Sequence, residues 1–273
     1  MNFSGKKSYF LRHALLIVCS LITSLPFVWI IICSTNTSVD VLRGRLTLGS
    51  NLGVNFQTLV DTGRFLPAFK NSVIYSVTTT LLAVCISSAA GYGFVVYRSK
   101  AKDTVMAVIL LSMMIPTAAI LIPMFRLFSR MKMLNTIFAF MLPSLATAFL
   151  IFLFRQASQS FPGEIIQAAR IDGLGEWMIF FRMFIPTMKP VYSTAIVMTF
   201  MNTWNAFLWP LVVMTDSQKT TMPVFLSLLT DSGYTPDYGA IMLAVTVTTL
   251  PTLIIFFALQ KSFINGLTGS VKG

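Results

Sequence analysis

The chain has 273 residues, of which 55% are hydrophobic and 11% charged, and its mean hydropathy is +0.78. A soluble domain carries roughly 25% charged residues, so most of this chain belongs in lipid. The net charge of +11 does not point to nucleic acid. Its basic residues stand in short groups beside apolar segments, such as Lys6, Lys7 and Arg12, or Arg98, Lys100 and Lys102. That arrangement orients membrane spans, and no basic stripe interleaved with aromatics occurs.

Residues 1–13 form a basic tail, and Ala14–Cys33 a first span. This run is too long for the apolar core of a signal peptide, and no small-x-small cleavage site follows it. Ser34–Lys70 reads as an extracytoplasmic loop. Asn71–Tyr97 is the second span, and Arg98–Asp103 a tight basic turn. Thr104–Phe125 is the third span, with Pro116 and Pro123, and Ile137–Phe154 the fourth, with Pro143. Val191–Val213 is the fifth. Met214–Tyr238 is a polar loop with Asp216, Asp231 and Asp237, and Gly239–Leu259 is the sixth span, with Pro251. Each span is close to the roughly 20 residues that cross a bilayer. The expectation is an all-α integral membrane protein of six transmembrane helices, whose internal prolines are tolerated because neighbouring helices satisfy the freed carbonyls. Its parts are 1–70 (tail, first span and outer loop), 71–260 (core) and 261–273 (tail). Basic residues are denser on the side that carries both termini, which places both ends in the cytoplasm.

Cys19 and Cys33 share a predicted helix, about 21 Å apart at 1.5 Å per residue, beyond disulfide reach. Cys85 lies in another span, and the one histidine, His13, leaves no Cys/His cluster for a metal. Neither a G-x-x-x-x-G-K-[ST] loop nor a G-x-G-x-x-G helix opening is present, and His13 has no serine and aspartate around which a triad could form. The chain is expected to be no enzyme and to hold no cofactor. Its energy must come from another subunit or from a gradient.

No charge lies well inside a span, although ion-coupled carriers commonly place Asp, Glu or His there. The intramembrane polar groups are neutral, among them Thr79, Ser87, Thr117, Ser144, Thr147 and Asn202. They suit an uncharged, hydroxylated substrate; equally, they serve as glue between helices. Met198, Asn202, Asn205 and Trp209 recur at helical spacing on one face of the fifth span. Amides and an indole are what a sugar site uses, whereas Trp209 also reads as an interfacial anchor.

The stretch Ser160–Pro190 is the polar exception between apolar segments. Pro162 suits a first helical turn, and Glu164 there complements the helix dipole. Ala168 and Ala169 make a slim surface for close approach of another backbone. Asp172-Gly173 is a turn signal in which Gly173 takes a positive φ at little cost. A second helix over about Glu176–Phe184 is rich in large apolar residues. On the residues alone, the stretch is either a docking element or an amphipathic helix lying on the membrane surface.

QAARIDG (Gln167–Gly173) followed by Ile185-Pro186 and Lys189-Pro190 resembles the EAA loop of bacterial ABC importer permeases. The context Pro162-x-Glu164 and the continuation Ile171-Asp172-Gly173 are similar to the carbohydrate-uptake branch, specifically the shorter permease of maltose-type systems. Asn71-Ser72, Gly91-Tyr92-Gly93-Phe94, Leu134-Asn135-Thr136 and the tail Asn265–Gly273 extend the likeness over about Asn71–Gly273. One departure is plain: Gln167 stands where the family has its first Glu.

The resemblance implies a type I ABC importer permease that carries sugars or oligosaccharides. Implied partners are a second homologous permease chain, two ATPase subunits that hold ATP and Mg, and an extracytoplasmic sugar-binding protein. Glu164, Gln167, Ala168, Ala169, Asp172 and Gly173 would couple to the ATPase, and Asn265, Gly266 and Lys272 would contact it from the tail. The Met214–Tyr238 loop would reach the binding protein. Import of another solute, such as a polyol, a glycerol phosphate ester or a polyamine, is the alternative. An ATP-independent secondary transporter is a further one.

Overall fold

The computed structural model describes residues 3–230 and 236–269, with side chains for 9, 11–230 and 236–260. The described residues are helical, with no strand among them. The chain packs as two compact units, Met1–Leu66 with Phe225–Leu250, and Pro67–Val224 with Pro251–Gly273.

In the first unit, α1 (Phe3–Ser34) leads to two short helices, α2 (Ser38–Leu42) and α3 (Leu52–Asp61), so the outer loop expected from sequence is ordered. Several of its polar groups are bonded within the unit. The Asn55 amide donates to Ser34 O at 2.8 Å and Asn36 O at 3.0 Å, and the Asn36 amide donates to Ile32 O at 3.0 Å and Thr47 O at 2.9 Å. Ser38 Oγ donates to Asp237 Oδ1 at 2.6 Å. Gly239 allows the backbone to approach closely here, since a Cβ would stand 2.5 Å from Asn36 O.

The second unit is built on the long helix α4 (Phe65–Val96), followed by α5 (Lys100–Ser112), α6 (Thr117–Arg130) and α7 (Ile137–Met141). Next come α8 (Ala148–Ser158), α9 (Gly163–Ile171), α10 (Glu176–Ile179), α11 (Ile185–Thr187) and α12 (Lys189–Trp204). Then follows α13 (Leu208–Val213), while α14 (Met222–Leu229) and α15 (Tyr238–Gly269) are divided between the units, Phe225–Leu229 and Tyr238–Leu250 belonging to the first. One face of α4 is a stripe of small residues, Ser72, Ser76, Thr79, Ala83 and Ser87, all buried. Small side chains let helix backbones approach in lipid, where no hydrophobic force drives association. The stripe ends at Gly91, where α8 crosses so closely that a Cβ would lie 2.5 Å from Phe154 Cβ and 2.6 Å from Arg155 N.

Ion pairing fixes the same end of the bundle. Asp103, in the first turn of α5, meets the largely buried Arg155 of α8 at 3.2 Å and Arg98 at 3.3 Å. Lys102 Nζ donates to Tyr97 O at 2.6 Å, a cation on the carbonyls that end α4.

Continuity of the spans differs from the expectation. Leu11–Ser34, Phe65–Val96 and Tyr238–Gln260 are long and apolar enough to cross a membrane, matching the first, second and sixth spans. The third, Thr104–Phe125, is broken: α5 and α6 meet at 101°. Pro116 explains the break, because it lacks an N–H and pushes Ile115 out of the helical region. The fourth is bent by 47° between Ile137–Ser144 and Ala148–Ser158, around the 3₁₀ turn at Pro143. In the fifth, α12 ends at Trp204 and the helix resumes only at Leu208. Met214–Tyr238 is less polar than read, since it contains α14, in which Met222, Val224 and Phe225 are buried. Asp231 lies outside the described residues.

The two motif glycines of α4 predict different outcomes. Gly91→Ala must displace the α8 backbone and should cost about 1–3 kcal/mol, the usual cost of overpacking. Gly93→Ala meets nothing within 4 Å and should leave the thermal unfolding midpoint of the detergent-solubilised protein unchanged. Equal midpoints for the two variants would contradict this crossing.

Candidate functional site

Two features gather the residues singled out from sequence: the loop at 160–190, and a cavity beside α12. The loop begins at Pro162, which caps α9 with extended backbone, and Glu164 sits in the first turn. The helix ends at Asp172, and Gly173 turns the chain at φ +78°. This is the left-handed region that favours glycine. The second helix starts at Glu176 as expected, then widens into a π-helical turn over Phe180–Phe184.

That widening aims the aromatics inward. Phe180 and Phe184 stack at 5.5 Å, and Tyr92 of α4 packs edge-on against both, at 5.3 Å and 4.9 Å. Phe161, Ile166, Ala169, Ile179 and Met188 complete a buried core under the loop. Fully burying one such side chain is worth about 1.5–3 kcal/mol, so the seat outweighs any single polar contact on its surface.

The Ala168-Ala169 pair does not form one outward face. Ala169 is 1% exposed and belongs to the core, because it follows Ile166 on the inner side of α9. Ala168, Gln167, Glu164 and Asp172 are exposed, and the outer surface also carries Ile171, 86% exposed, and Trp177, 71% exposed. Sequence reading counted neither of these among the residues expected to couple. The signal for Ile171 was there: it precedes the turn, opposite the Ile166/Ala169 face.

Across the hinge, Arg170 Nε donates to Glu176 Oε1 at 2.6 Å. Arg170, and then the Tyr97 hydroxyl, hold the Glu176 carboxyl below the usual carboxylate range. Tyr97 is raised in turn, chiefly by Glu176. The loop halves are thus tied to each other and to the end of α4.

The cavity has a volume of about 430 Å³. Thr117, Ile120 and Met124 of α6 line one side, and Pro143, Ser144, Thr147 and Phe149 another. Met198, Thr199, Asn202 and Thr203 of α12, with Trp209 of α13, form a third. No lining residue is charged. The structure therefore unites Met198, Asn202 and Trp209, but not Asn205, which sits at the end of α12 with its amide donating to Met201 O at 2.8 Å. Trp209 is pinned: its Nε1–H donates to Ala139 O at 2.9 Å, and its ring meets Phe128 at 5.3 Å. Thr117, Ser144, Thr147 and Asn202 donate no side-chain hydrogen bond to any described residue. Other intramembrane hydroxyls are spent within their own helix; Thr246 and Thr249 each donate to the carbonyl one turn back. Thr199 and Thr203 were missed in sequence because they look like ordinary helix threonines.

The other resemblance residues act as clamps. The Asn71 amide donates to Gln218 O at 2.8 Å and Thr220 O at 3.0 Å, and Ser72 Oγ accepts from Met222 N at 2.7 Å. Asn135, at φ +63°, donates from its backbone to Val213 O at 3.0 Å. Asn265 and Gly266 lie on the α15 backbone, and their side-chain surroundings and Lys272 lie outside the described residues.

Residues 83–268 match the family described as the binding-protein-dependent transport system inner membrane component. The chain belongs to that family. The permease is 42% identical over 261 residues to the lactose transport system permease protein LacG of Rhizobium radiobacter, covering 96% of this chain and 95% of the relative. It is 34% identical to the arabinooligosaccharides transport system permease protein AraQ of Bacillus subtilis, with 93% and 92% covered. It is 28% identical to the sn-glycerol-3-phosphate transport system permease protein UgpE of Pectobacterium atrosepticum, with 95% and 96% covered. Its fold matches a chain in the crystal structure of a bacterial ABC transporter that imports the acidic polysaccharide alginate, with a TM-score of 0.84, 19% identity, and 96% and 99% of the two chains covered. The permease is therefore a multi-pass membrane protein with the type I ABC importer permease fold.

The Glu176 contact carries a pH signature. A carboxyl whose folded pKa is depressed contributes stability above its unfolded value and loses it as pH falls through the folded value. Fluorescence of the permease should report an unchanged Trp177 environment from pH 8 to about 5.5, then loosening below about pH 4.5. Glu176→Gln should remove that acid step. An acid step of the same size in Glu176→Gln would assign it to another group.

Proposed function

We propose that the permease imports an uncharged sugar or oligosaccharide, forming half of a translocation pathway with a second, homologous permease chain. The observation that carries this reading is the cavity at α12: about 430 Å³, uncharged, with Asn202, Thr117, Ser144 and Thr147 offering unspent polar groups beside an immobilised indole. Paired hydrogen bonds and one flat apolar wall suit a pyranose ring. A glycerol phosphate ester would call for a cation in the lining, and a polyamine for a carboxylate; the cavity lining has neither. The relatives named for lactose and arabinooligosaccharides support the same choice. Met198, Asn202 and Trp209 are proposed to line the path, and Asn205 is set aside.

In this reading ATP and Mg bind two separate ATPase subunits, and a binding protein delivers the sugar from the side opposite both termini. The core at 71–260 carries the path. The loop at 160–190 docks on one ATPase through Glu164, Gln167, Ala168, Asp172 and the exposed Ile171 and Trp177. Ala169 and Gly173 act by shaping it, and Asn265, Gly266 and Lys272 follow from the tail. With Gln167 in place of a carboxylate, docking rests on apolar contact and on Glu164 and Asp172. The 214–238 loop is proposed to meet the binding protein, held in place by the Asn71 and Ser72 clamps.

The permease, co-reconstituted in liposomes with its ATPase, partner permease and binding protein, should show sugar-stimulated ATP hydrolysis and ATP-dependent uptake. Asn202→Leu should cut uptake about tenfold, the loss of roughly one good hydrogen bond to substrate, while leaving basal hydrolysis intact. Gly173→Asp should leave the complex in the membrane but separate hydrolysis from uptake. Sugar uptake by this chain without ATP would sink the importer reading.

A further inference from the structure

Helix α6 has an outer face that neither the cavity nor the loop uses. Its inner side gives Thr117, Ile120 and Met124 to the cavity and buries Phe128. At 3.6 residues per turn, Arg126 and Arg130 fall together on the opposite side, one turn apart. Both are exposed, and neither pairs with a carboxylate among the described residues. The stretch 117–135 contains no acidic residue and adds Lys132 to the two arginines. Near α6, Asp216 is turned to its own loop, where Oδ1 accepts from Gln218 N at 2.9 Å.

The arginines are not set in a polar surface. Ile122, 64% exposed, and Leu127, 55% exposed, flank them. With Pro123 these residues line a cleft of about 370 Å³. Water alone leaves the two aliphatic side chains unburied, and hydrocarbon alone leaves two guanidiniums without counter-charge. The boundary of a bilayer satisfies both at once, and α6 is bent by 101° from α5 rather than continuing its line. Guanidinium planes match phosphate oxygens in pairs.

We propose that α6 lies in the membrane interface and that Arg126 and Arg130 jointly hold the phosphate of an anionic phospholipid, whose acyl chains pack on Ile122 and Leu127. The net positive stretch selects a headgroup with net negative charge over a zwitterionic one. Because the inner face of the same helix lines the cavity, the lipid fixes one wall of that cavity. This assignment does not depend on which solute is carried.

The test is native mass spectrometry of the full chain in a non-ionic detergent, titrated separately with phosphatidylglycerol and phosphatidylcholine. Phosphatidylglycerol should load at roughly tenfold lower concentration, as expected for two arginines near an anionic surface. Arg126→Gln/Arg130→Gln should erase that advantage while keeping helical content and phosphatidylcholine loading, and Arg126→Lys/Arg130→Lys should keep most of it. If the glutamine pair fails to fold, each single Gln variant should lose part of the advantage. Arg43→Gln, in the first unit, should change nothing. Equal loading of the two lipids by the wild type, or an advantage that survives the glutamine substitutions, overturns the proposal. So does displacement of the lipid by excess sn-glycerol 3-phosphate, which would make this a site for a soluble anion.

Discussion

Tyr92 packs against the edges of Phe180 and Phe184, and the loop at 160–190 has its form because of that contact. A surface loop of short helices, α9 with nine residues and α10 with four, would not hold by itself. Here the π-helical turn at Phe180–Phe184 rotates two rings onto α4, and Ile166 and Ala169 close the other side. The ring that receives them sits one residue after Gly91, where α8 touches the α4 backbone. Loop, α4 and α8 therefore share one packed junction. Under the proposed docking on an ATPase, a push on the loop would reach the bundle through contact of packed groups rather than through a flexible tether.

The membrane part follows a complementary rule. Wherever the helices are interrupted, the break lies beside the cavity: at Pro116, at Pro143, and between Trp204 and Leu208. Irregular backbone at membrane depth survives only where protein or water satisfies it. The breaks thus let side chains from α6, α12 and α13 converge on one space, as straight spans would not.

Much of this was legible in the sequence. Long apolar runs showed α1, α4 and α15 because length and hydropathy alone decide them. Pro162, Gly173 and Glu176 marked the loop's turns, since each has a local conformational reason to stand there. The breaks were less legible: Pro116 and Pro143 are visible, but a tolerated proline and a right-angle turn look alike until packing is known. The inward turn of Ala169 was missed for a related reason. Two adjacent alanines read as one slim face, and only the Ile166 periodicity, set by Tyr92 far away in the chain, separates them. Asn205 was grouped with Asn202 by helical spacing, yet the helix stops there.

We propose that loop and bundle move as one body. Spin labels at Ile171 on the loop and Lys100 at the start of α5, in the reconstituted complex with Cys19, Cys33 and Cys85 replaced, test it by double electron–electron resonance. One narrow distance distribution is expected, unchanged between the nucleotide-free state and the state trapped with ATP and vanadate. A distribution that broadens or shifts on trapping would show the loop moving independently of the helices beneath it, and would overturn the one-body proposal.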